Sequence, residues 1–306
     1  MSNALINRSN DQIPDILSNY SGMLDKLTDM SSNLLLSHLE SNLSGDEKIV
    51  PCLFFRNIIE YADSISILLK NSSIEPIKAL NRILLENVFQ LDYLLIKDTD
   101  KRSFNFLVWS IKNDIKNYKK LKSDTLENET FKSKFTNDKL IKSYSTVEGI
   151  NVDKALSNSA DILKQPGYKE SAIEYERYYK KNKVFNWYSI DSGLRNIKEL
   201  ADSLKMEIHY DIFYRTLSNN IHGMDVIKGK LLKGENNNLV YISQIREPIN
   251  AQNVLQETLN FLMTATLIFL HQLLPHKKNE FTEWYINNFQ EFYSNLQNMR
   301  DYKVSK

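Results

Sequence analysis

Cysteine is all but missing. The single thiol, Cys52, excludes an internal disulfide. Its setting, Pro51-Cys52-Leu53-Phe54-Phe55, is apolar, so it reads as a buried thiol rather than a nucleophile, in a reducing compartment. Glycine and proline are scarce, with 8 and 6 in 306 residues. Sheet-rich chains need more turn formers than that, so helices with short connections are expected. Charge of one sign is missing too: 39 Lys plus Arg face 38 Asp plus Glu, for a net charge of +1. That argues against a broad basic face for duplex DNA and leaves room only for a local patch. No hydrophobic run is long. The greasiest, Phe261–Leu270, is closed by Asn260 and His271 and falls short of the ~20 apolar residues a bilayer span needs. The N-terminal residues are polar and hold no apolar core of signal-peptide type. A soluble, cytoplasmic protein without a membrane partner is expected.

Several chemical signatures are absent as well. There is no His-Glu-x-x-His, Cys-x-x-Cys or EF-hand loop, so no metal is expected. There is no Gly-x-x-x-x-Gly-Lys, Gly-x-Gly-x-x-Gly or Gly-x-Ser-x-Gly, so no cofactor is expected and a familiar nucleotide hydrolase or dinucleotide enzyme is disfavoured.

Helical periodicity fills most of the chain. It predicts an all-α, multi-helix bundle of about 8–10 helices with at most one short β-hairpin near 226–243. Apolar spacing marks helices over 13–43, after Pro51, over 74–96 and from 101 to 121. Residues 122–139 are polar and read as a loop or an exposed helical excursion. A further helix is expected over 138–163, with an interruption near Gly149-Ile150-Asn151, until Pro166-Gly167 stops it. Tyr168 to Lys183 is charged and rich in tyrosine. Asp191 or Ser192 is placed to cap a helix from Gly193 to Lys205, and the next helix runs from Tyr210 to Ile221. Leu239 to Ile242 is a strand candidate whose partner is sought near Ile227. Core helix 250–274 ends at Pro275, and an aromatic helix from 279 to about 302 closes the chain. The organisation expected is an N-terminal helical hairpin (1–72), a helical core (73–275) with an excursion near 122–190, and the C-terminal helix (276–306), all in one compact unit.

Tyr214-Arg215-Thr216-Leu217-Ser218-Asn219-Asn220-Ile221-His222-Gly223 is the most chemical stretch. Seven residues separate Arg215 from His222, close to two helical turns and about 10 Å along the axis. Ser218 and Asn219 lie between them on the same stripe. A guanidinium suits a phosphate, and an imidazole suits proton transfer near neutral pH. Against this stands a structural use, in which Tyr214, Ser218 and His222 simply hydrogen-bond the core together. Ser218 is the better read as an orienting hydroxyl than as a nucleophile.

Arg82 and Glu86 sit at i, i+4 on the most apolar helix. A charged pair there needs partners. It is either an internal ion pair locking two helices or the border of a polar cavity that meets the Arg215/His222 stripe. Tyr175, Tyr178 and Tyr179, with Arg177, Lys180 and Lys181, offer stacking faces for single-stranded RNA, or else form an ordinary solvated helix face.

Arg215-x6-His222 on a late helix resembles the Arg-x4-6-His motif of the HEPN superfamily, all-α domains that include metal-independent RNases of toxin and phage-defence systems. The wider layout resembles a bacterial helical family with Arg-x3-Glu on an early helix, here Arg82 and Glu86, and Tyr-x3-Ser-x3-His on a late one, here Tyr214, Ser218 and His222. The resemblance covers roughly 76–274. Thr216 stands where those nucleases often carry Asn, Asp or His. It implies an endoribonuclease whose Arg215 holds the scissile phosphate and whose His222 moves the 2′-OH proton. The implied setting is single-stranded or structured RNA, a homodimer with the aromatic last helix as its interface, and a neutralising or defence-partner protein. The alternative is a non-catalytic helical module that binds a protein or nucleotide.

Overall fold

The structure is a computed structural model that describes residues 5–6, 15–41, 43–136, 138–140, 151–221, 230–233 and 240–298. Its helices are α1 (Asp15–Leu39), α2 (Asp46–Lys70), α3 (Ile74–Ile96), α4 (Thr99–Leu121), α5 (Leu126–Thr136), α6 (Val152–Ile162), α7 (Tyr168–Lys181), α8 (Ser189–Ser192), α9 (Ile197–Ser203), α10 (Glu207–His209), α11 (Arg215–Ile221), α12 (Ala251–Leu273), α13 (Lys278–Asn288) and α14 (Gln290–Asn298). A π-helical turn, Tyr210–Tyr214, joins α10 to α11. Two strands of three residues, β1 (Leu231–Lys233) and β2 (Val240–Ile242), pair antiparallel with Leu232 opposite Tyr241. The fold is all-α with one short hairpin, as the helical spacing predicts.

The chain divides into two compact units. One holds residues 1–45, 51–97 and 197–306, and the other 46–50 and 98–196. The single unit expected from sequence is therefore two, and the expected excursion is a unit with its own core. That core gathers Val108, Tyr168, Tyr175 and Ile190, with Phe104, Trp109 and Phe185 packed on it. Trp187 is buried and meets Phe106 edge-to-face. Tyr168 donates to Asp46 at 2.6 Å, and the two side chains belong to the same unit.

The first unit is organised by α3 and α12, the two most apolar helices. α3 begins and ends where its spacing predicts. Ser73 precedes it, and Pro76 falls in its first turn, where a missing N–H costs little. α12 packs along it and also against α1. At the α1–α12 seam the Ser31 and Thr266 hydroxyls lie 2.7 Å apart, each within reach of the carbonyl four residues back, Leu27 and Leu262; with one hydrogen apiece, one hydroxyl donates to its carbonyl and accepts from the other. These buried hydroxyls are thereby satisfied, as burial of a polar group requires. Phe55 of α2 stacks on Phe269 of α12 with centroids 4.3 Å apart. Each such fully buried side chain contributes about 1.5–3 kcal/mol. The Cys52 thiol is buried, and burial pushes its pKa up to about 11.

Several boundaries differ from the sequence reading. Pro51 lies inside α2, which starts at Asp46. Within 122–139, where the sequence allows a loop or a helical excursion, residues 126–136 are helical. The expected helix 193–205 is shorter, α9 running from Ile197 to Ser203; Asp191 and Ser192 lie inside the separate α8, which Gly193 ends in the left-handed conformation (φ 74°). The partner of Val240–Ile242 is Leu231–Lys233. The last helix is broken at Phe289, which is buried and stacks on both Trp284 and Tyr293. Tyr293 also hydrogen-bonds Asn260 of α12. Much of the aromatic face of α13–α14 is thus used inside the chain. The interruption expected near 149–151 reaches into 141–150, outside the described residues. Among the described residues no single helix is long and apolar enough to cross a membrane.

Candidate functional site around Tyr214

α10, the π-helical turn and α11 run as one continuous helix, since His209, Tyr210 and Arg215 all keep right-handed helical backbone angles. The Arg215 N–H donates to the Tyr210 carbonyl, five residues back. Such widened turns are rare and frequently mark functional sites. This helix packs on α3, and Phe213 meets Phe261 of α12 edge-to-face with centroids 5.4 Å apart.

Tyr214 is the point of attachment. It is buried, and Tyr210, one turn back, stacks on it at 5.0 Å. Its hydroxyl donates to Glu86 at 2.5 Å and accepts a hydrogen bond from Arg82. Arg82 and Glu86 pair directly at 3.0 Å, and the Arg82 guanidinium carbon lies 4.6 Å from the Tyr214 ring centre. Burial, then the bond to Glu86, pushes the phenol pKa up, so Tyr214 stays neutral and is an anchor rather than a base. The Nε of Arg82 is buried with no hydrogen-bond partner among the described residues. One donor of the cluster is therefore left for an acceptor to occupy.

Arg215, one residue on, stands apart from this cluster. Its side chain is 68% exposed and reaches Asp211, one turn back, at 3.4 Å. Thr216 is also exposed and turns its hydroxyl to the Ile212 carbonyl at 2.6 Å. Leu217 is buried and Ser218 half-buried. The side chain of Asn219 and the whole of His222 lie outside the described residues. Of the candidates read from sequence, the structure brings Tyr214, Arg82 and Glu86 together and leaves Arg215 facing solvent. Arg82 and Glu86 do not border the Arg215 side chain; they hold the helix that carries it.

A second polar layer, beside Arg82, was not predicted. Asn81 is fully buried; it donates to the Val254 carbonyl at 3.1 Å and to Glu257 at 3.3 Å, and accepts from Thr258 at 2.7 Å. Burial raises the Glu257 pKa, while Asn81 and the charge of Lys78 lower it. The signal in the sequence was an asparagine beside an arginine in an otherwise apolar helix. Among the described residues no three His, Cys, Asp or Glu side chains converge as a metal site would require.

Residues 48–239, more than half of the chain, match the model of DUF5677, a family of unknown function. No curated protein and no solved structure matches the chain.

Proposed function

We propose, for a chain that belongs to the DUF5677 family of unknown function, a metal-independent endoribonuclease of HEPN-like type, acting in a toxin or phage-defence system. Arg215 holds the scissile phosphate and His222 takes the proton of the ribose 2′-OH. RNA brings its own nucleophile: the 2′-oxygen attacks the adjacent phosphorus, the P–O5′ bond breaks, and the 5′-oxygen leaves as a hydroxyl protonated by water, so the protein supplies a proton acceptor and positive charge at the phosphorus oxygens.

The observation that carries this reading is the contrast between neighbours on one helix. Tyr214 is buried and tied to Arg82 and Glu86, while Arg215 is exposed and, among the described residues, makes one long contact, to Asp211. A helix pinned by one residue presents the next at a fixed place in solvent, where a guanidinium can meet a phosphate at little desolvation cost. His222 follows at two-turn spacing in the sequence.

The test is cleavage of single-stranded RNA in EDTA. The products should end in a 2′,3′-cyclic phosphate, and DNA should be spared. His222→Ala should lower the rate by roughly 10²-fold or more. A folded His222→Ala protein that cleaves like the parent overturns the reading.

The second reading is a helical binding module for a nucleotide or protein. It is favoured by one observation: the three polar groups that do converge, Arg82, Glu86 and Tyr214, bond one another as a structural lock would, and the Arg82 Nε is left for an acceptor. Binding without cleavage, unaffected by His222→Ala, would favour it.

A further inference from the structure

We propose that the groove between α4 and α7 in the second unit binds the phosphate backbone of single-stranded RNA. The groove has a volume of about 510 Å³, and four lysines, Lys112, Lys116, Lys119 and Lys120, face two glutamates, Glu127 and Glu176, in its lining. The lysines recur at helical spacing along α4, which places them on one face of that helix. From the first to the last they span about 12 Å of helix axis, longer than one phosphate group. Tyr175 and Tyr179 of α7 form the opposite wall, with near-parallel rings 5.9 Å apart.

The way the charges are held is what points to a ligand. Lys112 is neutralised by Glu176 at 2.5 Å. Lys116 is held differently, with its ammonium 4.8 Å from the Tyr179 ring centre and 5.8 Å from that of Tyr175. Lys183, on the segment after α7, comes 4.5 Å from the same Tyr179 ring. A ring face attracts a cation through its quadrupole but does not cancel its charge. Lys116 and Lys183 are therefore held in place by a ring and not by a counter-charge. Neither they nor Lys119 have a carboxylate within ion-pair distance among the described residues. Both ammonium groups lie near the Tyr179 ring, so their charges add there, and an anion at the groove would offset them.

A strand of RNA fits this better than a duplex does. A duplex asks for a broad basic face, which a chain of net charge +1 does not provide. A narrow lysine row follows the backbone of a single strand, and the partly exposed Tyr179 ring lies beside it, supported from beneath by the buried Tyr175. The groove needs no step of the cleavage chemistry proposed above.

The test is fluorescence anisotropy of the full chain with a labelled 2′-O-methyl oligonucleotide, which cannot be cut through its 2′-OH. Three phosphate contacts predict a slope of log affinity on log salt of about −2, hence a roughly tenfold to twentyfold loss between 50 and 200 mM salt. The Lys116→Glu/Lys119→Glu double variant should weaken binding about tenfold or more and flatten that slope. Lys183→Glu, on a different segment, should weaken it severalfold, and circular dichroism should show both variants helical. Cleavage of unmodified RNA is scored in a separate assay, so a parent protein that binds the 2′-O-methyl strand but cuts no RNA overturns the nuclease reading and leaves this one standing. No binding at 50 mM salt, equal affinity in the double variant, or equally tight binding of duplex RNA would each overturn the proposal. So would binding of ATP in place of the oligonucleotide.

Discussion

Tyr214 donates its phenolic hydrogen to Glu86 at 2.5 Å, across 128 positions of the chain. Through this contact a helix late in the sequence is fastened to a core helix early in it, and Arg82 completes the fastening from the other side of the hydroxyl. Replacing Tyr214 by Phe keeps the ring and deletes the bond. Glu86 then keeps only Arg82 as its partner in this cluster. The expected cost is about 1–3 kcal/mol, read as a lower urea midpoint at unchanged m-value. A midpoint equal to the parent's would show that the hydroxyl does not hold the helix.

Arg215→Ala should leave the protein as stable as the parent, within about 0.5 kcal/mol, because its ion pair with Asp211 is exposed and spans 3.4 Å. If Arg215 serves phosphate, the same variant loses RNA cleavage. Thermal unfolding and cleavage measured on one preparation check both halves. A large drop in stability would assign Arg215 to the fold instead.

Glu257 gives a pH dependence of definite sign. Burial raises its pKa in the folded chain above the unfolded value. Between those two values the folded state binds more protons, so stability falls as pH rises through the window. Glu257→Gln removes the titration while keeping an acceptor for Asn81. The variant should gain stability on the parent from pH 4 to pH 7, and thermal melts across that range would show it. A constant difference would mean that Glu257 does not feel its burial.

Gly167→Ala should be costly in the second unit. Gly167 has φ +78°, and an added Cβ would lie 2.4 Å from the Phe104 ring. Left-handed strain and the displaced ring together predict about 2–4 kcal/mol lost. Denaturant unfolding is the measurement, and a loss under 0.5 kcal/mol would mean that Phe104 simply moves aside.

Cys52 should be nearly inert. With its thiol pKa pushed up to about 11, on the order of one thiol in a thousand is ionised at pH 8. Reaction with a chromogenic disulfide should be slow in the native protein and fast in denaturant. Rapid native labelling would place the thiol at the surface.

The sequence by itself determined the helical class, because 3.6-residue periodicity and scarce turn formers are local properties. It also placed α3 to the residue, since Ser73, Pro76 and an unbroken apolar face all act within that segment. It singled out Arg82 and Glu86 as charges in an apolar helix, and Tyr214 as part of the polar stretch on a late one. It did not decide how they are used. Tyr214 faces α3 and Arg215 faces solvent because packing chooses one side of the helix, and a seven-residue spacing says only that two side chains share a stripe. The two units, the π-helical turn and the break at Phe289 likewise came from tertiary packing. So did the lysine groove, whose walls are about 60 residues apart and become one surface only when α7 lies along α4.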